Sequence, residues 1–208
     1  MTKVKICGIT NKLETGFLNK YLPDYAGFVF AESRRRVTPE KAAELGAELA
    51  PTIKKVGVFL DHDVKLAADI AGSVGLDAVQ LHGNEDREYI ELLHSMLKQD
   101  IEIWKALKIE VEHFPDTGLM HHKDVDRLLL DTFVPGIHGG TGKYFDWRLV
   151  SKLDSSLPVI LAGGLNPYNV RQAILQTFPY AVDISSGVES EGMKDEQKVK
   201  AFIEAVRG

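Results

Sequence analysis

The chain has 208 residues, with 25 Lys and Arg against 30 Asp and Glu, a formal charge of −5 and one cysteine. That length supports one sizeable core and excludes two ordinary domains, so residues 1–208 are read as a single domain. The acidic balance excludes the clustered basic surface that nucleic acid requires, no stretch approaches the roughly 18 apolar residues of a membrane span, and a lone cysteine excludes an internal disulfide. The segment Met1-Thr2-Lys3-Val4 runs into a strand-like stretch without an apolar signal core, which predicts a cytoplasmic protein.

In chain order, short apolar runs rich in Val, Ile and Phe predict eight strands, at residues 4–7, 27–30, 56–59, 78–82, 101–106, 128–131, 159–162 and 182–185. Helical patterns lie between most of them. Thr38 before Pro39, Asp146 before Trp147 and Asn166 before Pro167 each place a cap residue ahead of a periodic apolar segment. Val64, Ala67, Ala68, Ala71 and Val74 form one apolar stripe, and Val199, Phe202, Ile203 and Val206 another. The alternation weakens only over residues 108–126, where Pro115, Gly118 and His121-His122 interrupt any helical period and the fifth helix is expected to be short or displaced. Eight compact β/α units predict an α/β fold, a single-domain (β/α)8 TIM barrel with eight parallel strands; an open doubly wound sheet is the alternative.

Alternate residues of a barrel strand face opposite ways, and the last inward residue lies at the C-terminal mouth. Val4 and Ile6 suit the helix-facing side of the first strand, which turns Lys5 and Cys7 inward with Cys7 uppermost. The same alternation turns Gln80 and His82, Asp131, and Asp183 inward on their strands. A lone cysteine is ordinarily a buried small hydrophobe, but its strand-end place ahead of the Gly8-Ile9-Thr10 turn favours function. Asp131 has no immediate helix to cap, since Thr132-Phe133-Val134-Pro135 follows it. For His82 and Gln80, a bond to a neighbouring carbonyl and the filling of a polar layer stand beside ligand contact as readings. The basic run Arg34-Arg35-Arg36 is either a solvated patch or a bidentate grip on an anion.

Gly163-Gly164 follows the seventh strand and Ser185-Ser186-Gly187 the eighth, where a short extra helix can start. This is the usual phosphate position of a barrel, because glycine lets the backbone approach an oxyanion and amide N–H groups stabilise its charge. The cluster His138-Gly139-Gly140-Thr141-Gly142-Lys143 fails the P-loop pattern, with Ile137 where glycine is required and Tyr144 where Ser or Thr is required, and is read as a lid after the sixth strand. The seven histidines show no convincing ligand spacing, so no metal is expected, and His121-His122 is read as solvated.

The segments Lys5-Ile6-Cys7-Gly8-Ile9-Thr10, Gln80-Leu81-His82-Gly83, Gly139-Gly140-Thr141-Gly142 running into Phe145-Asp146-Trp147, Gly163-Gly164-Leu165-Asn166 and Val182-Asp183-Ile184-Ser185-Ser186-Gly187-Val188-Glu189 together resemble the phosphoribosylanthranilate isomerases of tryptophan biosynthesis. The match spans nearly the whole chain, and the thiol on the first strand separates this family from related barrel isomerases that carry aspartate there. The resemblance implies an aldose–ketose isomerisation of N-(5-phosphoribosyl)anthranilate, an Amadori rearrangement without metal or organic cofactor. It implies Cys7 as general base, Asp131 as general acid, Arg35 as the arginine that holds substrate, and His82 and Asp183 as pocket residues. Arg34 and Arg36 are alternative occupants of the arginine register. Another sugar-phosphate isomerase or epimerase, and a non-catalytic phosphometabolite-binding barrel, are the competing functions. The expected partner is a small phosphorylated substrate, with neither nucleic acid nor membrane involved, and a monomer or homodimer is expected.

Ring opening needs a proton on the furanose oxygen and the next step removes one from C2, so an acid and a base are required. A thiol titrates near ~8.5 and a carboxyl near ~3.9, which leaves both in the wrong form at neutral pH unless the site shifts them. Lys5 is expected to favour the Cys7 thiolate, and burial with nearby negative charge to keep Asp131 protonated.

Overall fold

The structure is a computed structural model and describes residues 1–108, 125–131, 147, 150 and 157–208. Eight strands, β1 (Lys3–Cys7), β2 (Tyr25–Val29), β3 (Lys54–Phe59), β4 (Ala78–Leu81), β5 (Glu102–Lys108), β6 (Arg127–Asp131), β7 (Val159–Ala162) and β8 (Ala181–Ile184), form one closed barrel. Each pairs in parallel with the next, and β8 returns to β1 with Lys5 opposite Asp183. Closure excludes the open doubly wound sheet.

Helices α1 (Lys12–Tyr21), α2 (Pro39–Ala47), α3 (Val64–Val74), α4 (Arg87–Met96), α5 (Val170–Thr177) and α6 (Glu196–Arg207) are described around it. Asn11, Thr38, Asp63, Asp86 and Asp195 cap five of these, each accepting from a backbone N–H of the first turn; such caps contribute about 1 kcal/mol each. A short hairpin, β9 (Glu189–Ser190) with β10 (Met193–Lys194), lies between β8 and α6.

Several expected bounds move. Strands β2, β3 and β5 extend beyond their apolar runs because polar residues such as Lys54 and Lys55 continue the ladder opposite Tyr25 and Ala26 through backbone bonds. The helix expected from Pro167 starts at Val170 instead. Asn166 caps a turn rather than that helix, with its Oδ1 accepting from Tyr168 N and Asn169 N, while Asn169 accepts from Asn166 N and donates to the Gly164 carbonyl. Residues 109–124 of the irregular segment, the glycine-rich lid region at 138–143 and the cap Asp146 lie outside the described residues; Trp147 and Val150 are buried.

Two cores result from the alternation of side chains. Val4, Ile6, Phe28, Val79, Leu128 and Val182 face the helices in the larger one. A smaller cluster inside the barrel contains Tyr25, Val56, Trp104, Leu129 and Ile160. Its lower end is closed by Tyr25 packed edge-on to Trp104, ring centroids 5.0 Å apart, and by Arg127, which binds Glu102 through two nitrogens and stacks 3.9 Å over the Tyr180 ring.

Candidate active site

The strand ends assemble one cavity of about 320 Å³, lined among the described residues by Cys7, Arg35, Gln80, His82, Asp131, Asp183 and both glycine- and serine-bearing loops: Gly163, Gly164, Ser185, Ser186 and Gly187. All the residues singled out from the sequence as catalytic, substrate-binding or phosphate-binding thus face the same space.

Its floor is a chain of polar contacts. Lys5 Nζ, with its residue fully buried, donates to Asp183 Oδ2 at 2.9 Å and to Gln80 Oε1 at 2.7 Å. Gln80 Nε2 lies 3.1 Å from His82 Nδ1, and His82 Nε2 lies 3.5 Å from Asp131 Oδ2. Asp183 lines the cavity, and its Oδ1 is buried with no hydrogen-bond partner among the described residues.

Burial disfavours the Lys5 ammonium, yet Asp183 and the Cys7 thiolate outweigh it and hold its pKa above the ordinary lysine range. For Cys7 the balance goes the other way. Burial pushes the thiol up, and the downward pull of Lys5 and Lys194 does not compensate. Lys5 does act to favour the thiolate, as expected, but desolvation is larger and the neutral thiol prevails.

The phosphate-type cradle joins two loops. Gly163 and Gly164 have φ of 84° and 65°, the left-handed region that glycine adopts without steric cost. After β8, Ser185 Oγ donates to the Cys7 carbonyl at 3.0 Å, and Ser186–Val188 form a single 3-10 turn, the short helix expected there. Gly187 packs against the other loop so closely that a Cβ would run into the Leu165 carbonyl oxygen and lie 2.9 Å from Ile184 Cδ1.

Among the three arginines, the register falls on Arg35. It lines the cavity and is 24% exposed, whereas Arg34 and Arg36 are 64% and 54% exposed and Arg36 pairs with Glu32. Arg35 donates through Nε and an Nη to Glu189, at 2.6 and 2.8 Å. Buried Lys194 binds the same carboxylate at 2.8 Å and also donates to the Ser185 carbonyl at 3.1 Å. The paired cations hold the Glu189 carboxyl below its ordinary range despite burial, while burial draws Lys194 below the usual lysine value.

Sequence reasoning did not single out Glu189 or Lys194. Glu189 closes the serine-rich motif and could have been found there; Lys194 carries no local signal, because its burial follows from a hairpin of two-residue strands. A second missed pair, Glu85 and Lys105, meets at 2.6 Å behind His82, with Glu85 accepting from the Asp61 and Gly83 amides and Lys105 donating to the Gly83 carbonyl. This clamp fixes the turn that follows His82. Among the described residues no group of three or more His, Cys, Asp or Glu is placed to hold a metal ion. Nor is any described helix long and apolar enough to cross a membrane.

The family model for N-(5'-phosphoribosyl)anthranilate (PRA) isomerase matches residues 4–205. The N-(5'-phosphoribosyl)anthranilate isomerase of Acetivibrio thermocellus is 46% identical, over all of this chain and 96% of that protein. The phosphoribosyl anthranilate isomerase of Thermotoga maritima superposes with a TM-score of 0.88 at 40% identity, covering 100% of this chain and 99% of that one. Another structure of such an isomerase, in complex with reduced 1-(o-carboxyphenylamino)-1-deoxyribulose 5-phosphate, superposes with a TM-score of 0.85 at 37% identity and covers 100% and 99% of the two chains. With its whole length matched in sequence and in barrel geometry, the chain belongs to the N-(5'-phosphoribosyl)anthranilate isomerase family.

Proposed function

We propose that residues 1–208 act as one catalytic barrel that converts N-(5-phosphoribosyl)anthranilate to 1-(2-carboxyphenylamino)-1-deoxyribulose 5-phosphate, an Amadori rearrangement of tryptophan biosynthesis that uses neither metal nor organic cofactor. The observation that carries this reading is the convergence of a thiol from β1 and a carboxyl from β6 on one cavity that also holds an amide-rich cradle and Arg35.

In this reading Gly163, Gly164, Ser185, Ser186 and Gly187 hold the phosphate through backbone N–H groups and hydroxyls. Arg35 grips the anthranilate carboxylate, its charge shared with Glu189 in the free site. Asp183 and His82 line the pocket and contact the substrate there.

Asp131 gives its proton to the furanose oxygen. The C1–O bond breaks as the anilino nitrogen supplies its lone pair, forming a C1–nitrogen double bond. The Cys7 thiolate then takes the C2 proton, the electron pair forms a C1–C2 double bond, and the nitrogen recovers its pair. Ketonisation places a proton on C1 and releases the one on the C2 hydroxyl. Burial makes the thiolate scarce, but it also makes the thiolate a stronger base when it forms. The enzyme works in the cytoplasm as a monomer or homodimer, with a small phosphorylated substrate as its partner and no nucleic acid or membrane involved.

Turnover of freshly prepared phosphoribosylanthranilate, followed by loss of anthranilate-type fluorescence under added chelator, tests the proposal. Wild-type turnover that survives chelation and collapses in Cys7→Ala is expected. A well-folded wild type without turnover overturns it.

A further inference from the structure

The polar chain on the cavity floor contains information about protons that heavy-atom positions alone do not usually supply. Which end of a glutamine is oxygen, and which nitrogen of a histidine carries hydrogen, are ordinarily inferred from the surroundings. Here the surroundings leave one solution. The Lys5 ammonium has donors and no acceptor, so the Gln80 atom 2.7 Å from it is the carbonyl oxygen. The other end of the amide, 3.1 Å from His82 Nδ1, is then the NH2 group, which only donates. Nδ1 must accept, and the ring proton sits on Nε2, the nitrogen 3.5 Å from Asp131 Oδ2. Lys5 and Gln80 are 0% and 1% exposed, so solvent does not compete for the contact between them.

We propose that Gln80 is a positioning residue which, oriented by Lys5, holds His82 as the neutral Nε2–H tautomer and so presents Asp131 with an N–H group instead of a positive charge. The inference rests on Asp131 acting as the acid of the proposed isomerisation. An imidazolium at that distance would favour the carboxylate and work against an acid, whereas a neutral ring spares the carboxyl that pull. Protonating Nδ1 would set two donors against each other across 3.1 Å, and Gln80 is held from behind by Lys5. The buried amide thereby acts on the chemistry through His82 and has no need to touch substrate.

The test is a long-range proton–nitrogen NMR spectrum of the protein labelled with nitrogen-15 histidine, with His82 assigned by its loss in His82→Asn, at a pH where surface histidines are neutral. Wild type is expected to show His82 as a single tautomer, pyridine-like at Nδ1 and pyrrole-like at Nε2. In Gln80→Glu a carboxylate replaces the donor, and the proton should move to Nδ1 or both nitrogens should become protonated. Gln80→Met, which keeps the volume and removes the donor, should show tautomer exchange and covers the case in which a second carboxylate beside Lys5 unfolds the barrel. In turnover, Gln80→Glu should lower kcat by at least about tenfold, within the roughly 10²–10⁴ that acid–base catalysis contributes, with KM little changed. An Nδ1–H or imidazolium pattern in wild type, or an unchanged tautomer in both Gln80 variants, overturns the inference whatever the activity. The expected tautomer in a wild type that does not turn over phosphoribosylanthranilate would instead remove the isomerase reading and with it the link to Asp131.

Discussion

Replacing Lys5 by methionine should be among the most destabilising single changes in this barrel, and a stability measurement on folded protein tests that apart from catalysis. Its ammonium sits 2.9 Å from Asp183 Oδ2, with side chains 0% and 9% exposed, and it also holds Gln80 Oε1. Methionine fills the volume but strands the Asp183 charge in a buried layer. Removing one partner of a buried ion pair costs about 3–5 kcal/mol, mostly from the charge left behind. At roughly 2–4 °C per kcal/mol for a chain of this size, Tm should fall by about 6–20 °C. Urea unfolding of Lys5→Met, Asp183→Asn and the double variant closes a cycle. Since the double variant strands no charge, it should recover at least ~2 kcal/mol relative to the sum of the single changes. A Lys5→Met cost under ~1 kcal/mol, or additive single effects, would refute the reasoning that Asp183 is charged and compensated by Lys5.

Other consequences of the geometry are equally open to measurement. Because Cys7 is the sole cysteine, its alkylation by iodoacetamide reports one site; with burial favouring the neutral thiol, the rate should rise with pH through an inflection above ~8.5, and an inflection well below that value would show a site that stabilises the thiolate. Gly187→Ala must separate the two cradle loops to clear the Leu165 carbonyl, an overpacking of about 1–3 kcal/mol that should raise KM by about 5- to 150-fold; unchanged KM would mean that the loops are not jointly used. Lys194→Met removes the ammonium that joins Ser185 to Glu189, so inhibition by inorganic phosphate should weaken by about tenfold or more, and an unaltered inhibition constant would assign Lys194 to packing alone.

The residues most legible in the sequence were those on the inner face of strands, because the period of two makes a polar residue inside an apolar run conspicuous. Lys5 and Cys7 stand out on either side of Ile6, Gln80 and His82 around Leu81, and Asp183 between Val182 and Ile184. Their convergence then follows from barrel closure alone. Where tertiary contact sets burial, the same reading has nothing to detect. Lys194 looks like an ordinary surface lysine, yet it is buried against Glu189, 5 residues away. The start of β3 was misplaced for a related reason: Lys54 and Lys55 enter the ladder through their backbones, which side-chain hydrophobicity does not report. At Asn166 the cap signal was real, but the competing Asn166–Asn169 turn took it.

The barrel is closed by its first and last strands, and Lys5 meets Asp183 across 178 residues of chain. On a ribosome adding about 5–20 residues each second, the first strand waits on the order of 10–35 s for that partner. Until then its lysine has no counter-charge and its cysteine no opposing wall, and a polypeptide interrupted anywhere before the eighth strand has no catalytic centre. A product truncated before the eighth strand therefore remains inert, and the appearance of activity in a translating extract should mark completion of the eighth β/α unit, not a gradual gain along the chain.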